Sequence, residues 1–203
     1  MVEEFVYILD YLPKGRPDDA RRKDPVAYGV GERNFVTLEL APKPGVNLLV
    51  GDRVGVLKED PTSPIDHVRG RVSFEGMTHA AQSELPFVIE QMVKAQEERF
   101  VNFYNNAGPV SLRMHQLELL PGLGKKLMQA ILDDKKRNGP FKGFRDIDTR
   151  VKALHAPEKL IANRIVSEIQ NPGEKYHLFV LPPAPEHEDF GGRGPRGPPR
   201  GMR

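Results

Sequence analysis

Leu119-Leu120-Pro121-Gly122-Leu123-Gly124-Lys125-Lys126 is the stretch on which the reading of this chain turns. Each residue has a physical task. Pro121 ends a preceding helix, because its ring fixes φ and its nitrogen carries no hydrogen to donate. Gly122 and Gly124 reach backbone conformations closed to other residues, and without Cβ atoms they let an anion approach the main chain. Leu123, apolar between two glycines, is expected to tuck between the flanking helices and anchor the turn. The next helix then begins with unpaired N–H groups and the positive end of its dipole facing outward. Lys125 and Lys126 place two ammonium groups at that end. Gly122, Leu123, Gly124, Lys125 and Lys126 are therefore expected to receive a phosphate.

Working outward, Ser111 can cap a helix carrying Leu112, Leu117, Leu119 and Leu120 before the turn. After it, Leu127, Met128, Ala130, Ile131 and Leu132 predict a second helix that stops near Gly139-Pro140. A shorter helix around Phe144-Arg145-Asp146-Ile147 leads to Val151 and Leu154. Pro157 then opens a helix with Leu160, Ile161, Ile165, Val166 and Ile169 inward, closed by Asn171-Pro172-Gly173. The order apolar–Pro–Gly–apolar–Gly followed by a helix closely resembles the helix-hairpin-helix motif. Aligning Leu123 with Leu154 puts Ala153 and His155 at the glycine positions, so residues 111–170 resemble a tandem pair with one intact and one degenerate hairpin. Lacking glycines, the second hairpin is expected to hold phosphate less closely, with Lys152 and Lys159 still available. Contacts of this kind go to the nucleic-acid backbone and carry little sequence information.

The N-terminal part has a different period. Residues 4–9, 26–30, 34–40, 52–57 and 67–74 read as five short strands with Gly and Pro between them. In the last, Val68, Val72 and Phe74 share one face while Arg69, Arg71 and Ser73 share the other. Five such strands suggest a small barrel, like the oligonucleotide-binding fold. On it Phe35, opposite in phase to Val36, Leu38 and Leu40, is a candidate base-stacking platform, with Arg33, Arg69 and Arg71 as its cations. From residue 78 the period becomes helical. Pro86 opens a segment in which Ile89, Met92, Val93, Phe100, Phe103 and Tyr104 form one stripe, read as a single long helix ending at Asn105-Asn106-Ala107-Gly108-Pro109. Residues 176–181 read as a returning strand.

The expected fold class is α+β. Residues 1–77 form a small oligonucleotide-binding-fold-like barrel, 78–110 the connecting helix, 111–181 an all-α tandem helix-hairpin-helix domain, and 182–203 a disordered Arg/Gly/Pro-rich tail. That tail resembles arginine–glycine-rich RNA-binding segments, with Arg193, Arg196 and Arg200 as candidate contacts.

Charge distribution supports a polyanionic partner. The net charge is only +2, yet residues 1–110 sum to −4 and residues 111–170 to +5. Positive charge is concentrated around the hairpins. The absence of cysteine excludes disulfides and thiolate metal sites, and suits a reducing cytoplasm. With an acidic N-terminus and no long apolar run, neither a signal peptide nor a membrane span is expected.

The strands with Val50-Gly51-Asp52-Arg53-Val54, the long helix and the stretch from Leu119 to Ile131 together resemble an archaeal family of uncharacterised, predicted RNA-binding proteins. The resemblance runs over residues 1–181 and implies binding without catalytic residues. Helix-hairpin-helix DNA glycosylases show a similar turn, with a lysine where Lys126 stands and a later aspartate in an Asp-Thr context, as in Asp148-Thr149. Those enzymes need a long all-helical domain that the β-rich half of this chain cannot supply. The six histidines show no metal spacing, and no Walker loop or nucleophile elbow is present. The expectation is a non-enzymatic nucleic-acid-binding protein with RNA favoured over DNA. It needs no cofactor, no metal and no membrane, and its oligomeric state is left open. The alternatives are a DNA-repair-type protein and a protein–protein scaffold.

Overall fold

The computed structural model describes residues 3–16, 24–57 and 60–182. Its architecture is mixed α and β: a curled five-stranded antiparallel sheet, closed to a half-barrel, and five α-helices. Strands β1 (Phe5–Leu12), β2 (Val26–Gly31), β3 (Thr37–Pro42), β4 (Arg53–Gly55) and β5 (Ile65–Arg71) lie in the order β4-β1-β2-β3-β5.

Alternation along β1 divides two cores. Val6 and Ile8 point into the half-barrel, where they meet Leu38, Leu40, Val54 and Ile65. Tyr7 and Leu9 point the other way, into a core shared with the helices. A bulge between Ile8 and Asp10 shifts the register and bends the strand. The same bulge presents Asp10, whose carboxylate accepts from the Thr78 hydroxyl at 2.6 Å. Thr78 is the N-cap of α1 (His79–Ala95), its oxygen accepting from the Ala81 amide at 3.1 Å. One threonine thus ties the first helix to the first strand.

Two helices replace the single long one expected from the apolar stripe. The first begins at His79, seven residues before Pro86, and ends at Ala95; α2 spans Glu97–Asn106. Gln96 breaks the run with its backbone at φ −109°, ψ 37°, while its side chain donates to the Glu32 carbonyl at 3.3 Å. Redirection lets Glu97 accept from the Phe144 amide at 2.6 Å and lets Asn105 bond both ways with the backbone of Phe141. The α2 helix is thereby fastened to the helices that follow.

The helix expected from Ser111 is also corrected. Residues 109–115 form a small hairpin, β6 (Pro109–Ser111) and β7 (Met114–His115), followed by a 3-10 helix Gln116–Leu119. Leu117 and Leu120, three apart, are buried, which suits a helix of three residues per turn; Leu112 is fully exposed. Three helices complete the chain: α3 (Lys125–Asn138), α4 (Phe144–Arg150) and α5 (Pro157–Gln170). Arg150 clamps α3 to α4. It donates to Asp134 at 2.8 Å, to Asp146 at 3.0 Å and to the Gly139 carbonyl at 2.8 Å.

Residues 176–181 form no strand. Glu168, 1% exposed on α5, accepts from the amides of Leu178, Phe179 and Val180 at 2.7, 3.0 and 2.9 Å. Those amides are consumed by a carboxylate, so no strand ladder can form. Arg164, buried beside Glu168, donates to it at 2.7 Å, pairs with Glu174 at 2.6 Å and donates to the Tyr176 carbonyl. The segment then crosses to the sheet, where the Leu181 amide donates to Asn34 at 3.0 Å. One continuous core runs from Tyr28 and Val30 on the sheet, through Leu85 and Phe100, to Leu123 and Leu154.

Candidate nucleic-acid interface

Residues 120–123 make a tight turn in which the Leu123 amide donates to the Leu120 carbonyl at 3.0 Å. Pro121 occupies the second position, where its fixed φ fits, and Gly122 the third at φ +84°. A type II turn needs that combination, since the third residue must take positive φ. Gly124 is the N-cap of α3, extended at φ −82°, ψ 177°, and its carbonyl accepts the first helical bond from Met128 at 3.0 Å.

No side chain caps this helix and no acidic residue stands in its first turn. The N–H groups that open α3 have no partner within the helix. Around them the surface is open. Pro121, Gly122, Gly124, Lys125 and Lys126 are exposed, and a Cβ added at either glycine would meet nothing within 4 Å. Leu120 and Leu123 are buried in the shared core, 1% and 2% exposed, so the turn is anchored from below and bare above. Among the described residues neither Lys125 nor Lys126 has an ion-pair partner. Open amides, the positive end of the helix dipole and two lysines share the exposed start of α3.

The second hairpin repeats the geometry with different chemistry. The Leu154 amide donates to Val151 at 2.8 Å, and Leu154 is buried like Leu123. The positive φ, however, has moved to Ala156, the N-cap of α5, at φ 50°. Pro157 follows and has no amide hydrogen, Glu158 adds negative charge to the first turn, and the Pro157 carbonyl is held by the Tyr104 hydroxyl at 2.8 Å. Lys152 and Lys159 are exposed on this hairpin. An anion meets fewer donors and a carboxylate here.

The sheet's candidates fare differently. Phe35 is corrected: it is fully buried, 6.2 Å from the Phe100 ring, with Arg99 over its face at 5.2 Å. It does face away from the half-barrel, but that side lies beneath α2, so no base can stack on it. Arg33 is exposed, on a loop whose amides at Arg33 and Asn34 are held by the buried Glu3 carboxylate at 3.0 and 2.8 Å. Arg69 and Arg71 come together on β5, but each has a partner. Arg69 bonds to Glu39 at 3.2 Å and to the Pro25 carbonyl at 3.2 Å, and Arg71 to the Pro182 carbonyl at 3.1 Å. Asp24, Glu39 and His67 line the same shallow depression, making its charge mixed. Arg193, Arg196 and Arg200 lie outside the described residues.

Asp148 sits exposed on α4, its oxygen 3.8 Å from His155 Nδ1, and forms no ion pair with Lys126. Sequence reading missed Arg113, exposed at the β6–β7 turn, because a helix was expected there. The signal was present: Leu112 and Leu117 stand five apart, off the helical period. Among the described residues no helix is long and apolar enough to cross a membrane, and no three His, Asp or Glu side chains group as metal ligands.

Comparison with known proteins places this geometry among relatives. The model of the family described as "Protein of unknown function (DUF655)" matches residues 2–181, the span over which the archaeal resemblance was expected. The uncharacterized protein MJ0038 of Methanocaldococcus jannaschii is 40% identical over 179 residues, which are 88% of this chain and 80% of that protein. The crystal structure of Af1531 from Archaeoglobus fulgidus, also of family DUF655, is similar with a TM-score of 0.83 and 46% identity. It covers 88% of this chain and all of its own. Both relatives are archaeal.

Proposed function

The chain belongs to the DUF655 family, and from that premise we propose that it is a non-enzymatic nucleic-acid-binding protein that grips a phosphate backbone at the 120–124 turn, with RNA favoured over DNA. The turn and the helices beside it are read as a helix-hairpin-helix unit, with residues 151–157 as its degenerate partner. The half-barrel is read as an oligonucleotide-binding-fold-like element that supports the hairpins more than it binds.

One observation carries this reading: the uncapped start of α3 stands open beside two unpaired lysines. With glycine at the N-cap in place of a Ser, Thr, Asn or Asp, the start of α3 forgoes roughly a few tenths of a kcal/mol and leaves its amides open. A phosphate bound there would satisfy the same amides and meet the positive end of the dipole. In the second hairpin Pro157 and Glu158 remove that incentive, so Lys152 and Lys159 act only as diffuse charge. With Phe35 buried and Arg69 and Arg71 engaged, the sheet contributes at most Arg33. Backbone contacts of this kind give affinity without sequence preference.

Affinity for single-stranded and duplex RNA, measured across a salt series, tests the reading. Each phosphate neutralised should add a slope of about −0.7 to −0.9 in log K against log salt. Lys125→Glu with Lys126→Glu should weaken binding to all sequences and flatten that slope by about 1–2. A salt-independent affinity, or one indifferent to the double charge reversal, would remove the proposal.

A further inference from the structure

The β6–β7 turn carries a side chain that the fold does not use. Leu112 is 107% exposed, and Met114 beside it is 38% exposed. A two-residue hairpin turn favours Gly, Asn or Asp, which accept positive φ. Among the described non-glycine residues only Phe35 and Ala156 have positive φ, so Leu112 serves no conformational need. It also buries nothing. Arg113, next to it, is exposed, and its guanidinium has no ion-pair partner among the described residues.

This tip is held firmly. Pro109 pairs with His115 and Ser111 with Met114 across the hairpin. The Ser111 hydroxyl accepts from the Arg113 amide at 3.3 Å. At its base Gln116 and Gly108 exchange two hydrogen bonds, each of 2.9 Å. His115 then caps the 3-10 helix that delivers the chain into the 120–124 turn. Leu112 and Gly122 are ten positions apart, with four of the nine residues between them in the compact 3-10 helix, so tip and turn lie within roughly 30 Å. A strand held at the turn and running towards the tip would span that distance in a few nucleotides.

An exposed aliphatic side chain flanked by a free guanidinium matches one kind of target. The aliphatic group can enter an open base stack while the cation rests on the neighbouring phosphate. Splitting an intact stack costs more than one leucine returns on burial, and the cost is least where bases are already unpaired. We propose that the β6–β7 hairpin is a wedge: Leu112 seats against the terminal base pair where a duplex gives way to unpaired strand, with Arg113 on the adjacent phosphate. This rests on the nucleic-acid reading above, and names its target as RNA with a duplex–single-strand junction.

The full chain, titrated against two RNAs carrying 2-aminopurine, tests it: one with the label at a duplex–single-strand boundary, one with the label inside a continuous duplex. The expected result is tighter binding of the junction RNA by about tenfold, the worth of burying most of one leucine side chain, and a fluorescence rise confined to it. Leu112→Ala and Leu112→Ser should abolish both effects and leave continuous-duplex affinity and melting temperature unchanged, since the side chain touches nothing in the fold. A fluorescence rise that survives both substitutions overturns the wedge. So does steep, salt-dependent binding without junction preference, which leaves the hairpin reading standing. Failure of the unaltered chain to bind either RNA overturns both.

Discussion

Leu123 and Leu154 hold matching places in the two hairpins: each is buried, and each donates its amide to a carbonyl three residues earlier, Leu120 at 3.0 Å and Val151 at 2.8 Å. Both reach the same core from opposite hairpins. Leu123→Ala and Leu154→Ala should each cost about 2–5 kcal/mol, the usual range for emptying a packed leucine site. Urea denaturation checks this. A loss under 1 kcal/mol at either position would mean that it does not anchor its turn.

Gly124 offers a substitution whose effects on stability and binding should have opposite signs. Its φ of −82° suits any residue, and a Cβ there meets open space. Gly124→Asp supplies the missing cap and an anion at the dipole's positive end, so stability should rise by about 0.5–1 kcal/mol. The same carboxylate occupies the proposed phosphate position, and RNA affinity should fall at least as far as with the lysine reversals. Melting temperature and affinity, measured on one preparation, read out both signs.

Ala156 stores strain at the second hairpin, with a left-handed backbone at φ 50° and a Cβ that disfavours it. Ala156→Gly should stabilise the protein by about 0.5–1 kcal/mol after the entropic cost of glycine. Denaturation midpoints will show it.

Glu168 serves Arg164 and three backbone amides with one buried carboxylate. Glu168→Gln keeps the shape but leaves the guanidinium with Glu174 as its remaining counter-charge and turns an amide group towards donors. Loss of about 1–3 kcal/mol is expected, the cost of leaving buried hydrogen-bonding groups mismatched. Hydrogen exchange should accelerate first at Leu178, Phe179 and Val180. Uniform acceleration across the protein would deny the segment its dependence on this anchor.

His115 makes the start of the 3-10 helix sensitive to acid. Its Nδ1 accepts from the Leu117 amide at 3.2 Å, which requires that nitrogen to be unprotonated. Burial pushes its pKa below the usual imidazole value and Lys135 adds to that, while Glu118 opposes them. A folded-state pKa below the unfolded one means that the unfolded chain binds the proton more readily. The stabilisation is complete above about pH 6.5 and is lost as pH falls through the lower, folded value. His115→Asn keeps a capping oxygen and should remove this component from the stability–pH curve. An unchanged curve would assign the acid response to other groups.

What the sequence disclosed depended on how local the cause was. The Pro121-Gly122 turn was legible because one residue's backbone preference decides it, whereas Gly124, expected to need a conformation closed to other residues, is extended at φ −82°. The strand at residues 4–9 was legible from its run of apolar residues, a local signal of the same kind. The break at Gln96 was not, since glutamine is a good helix former and only its bond to the Glu32 carbonyl, 64 positions away, shows why the helix stops. Phe35 was assigned to the correct side of the sheet, yet its burial depends on α2 arriving there. Residues 176–181 had the composition of a strand, and nothing nearby announced that Glu168 would take their amides. Where distant partners decide, periodicity is silent.

The continuous core has a mechanical consequence. Tyr28 of the sheet and Leu123 of the 120–124 turn share one packed core, so loosening one end of it loosens the other. The chain should melt in a single transition, and a strand of RNA clasped at the 120–124 turn should be felt at the far sheet as slowed amide exchange in β2.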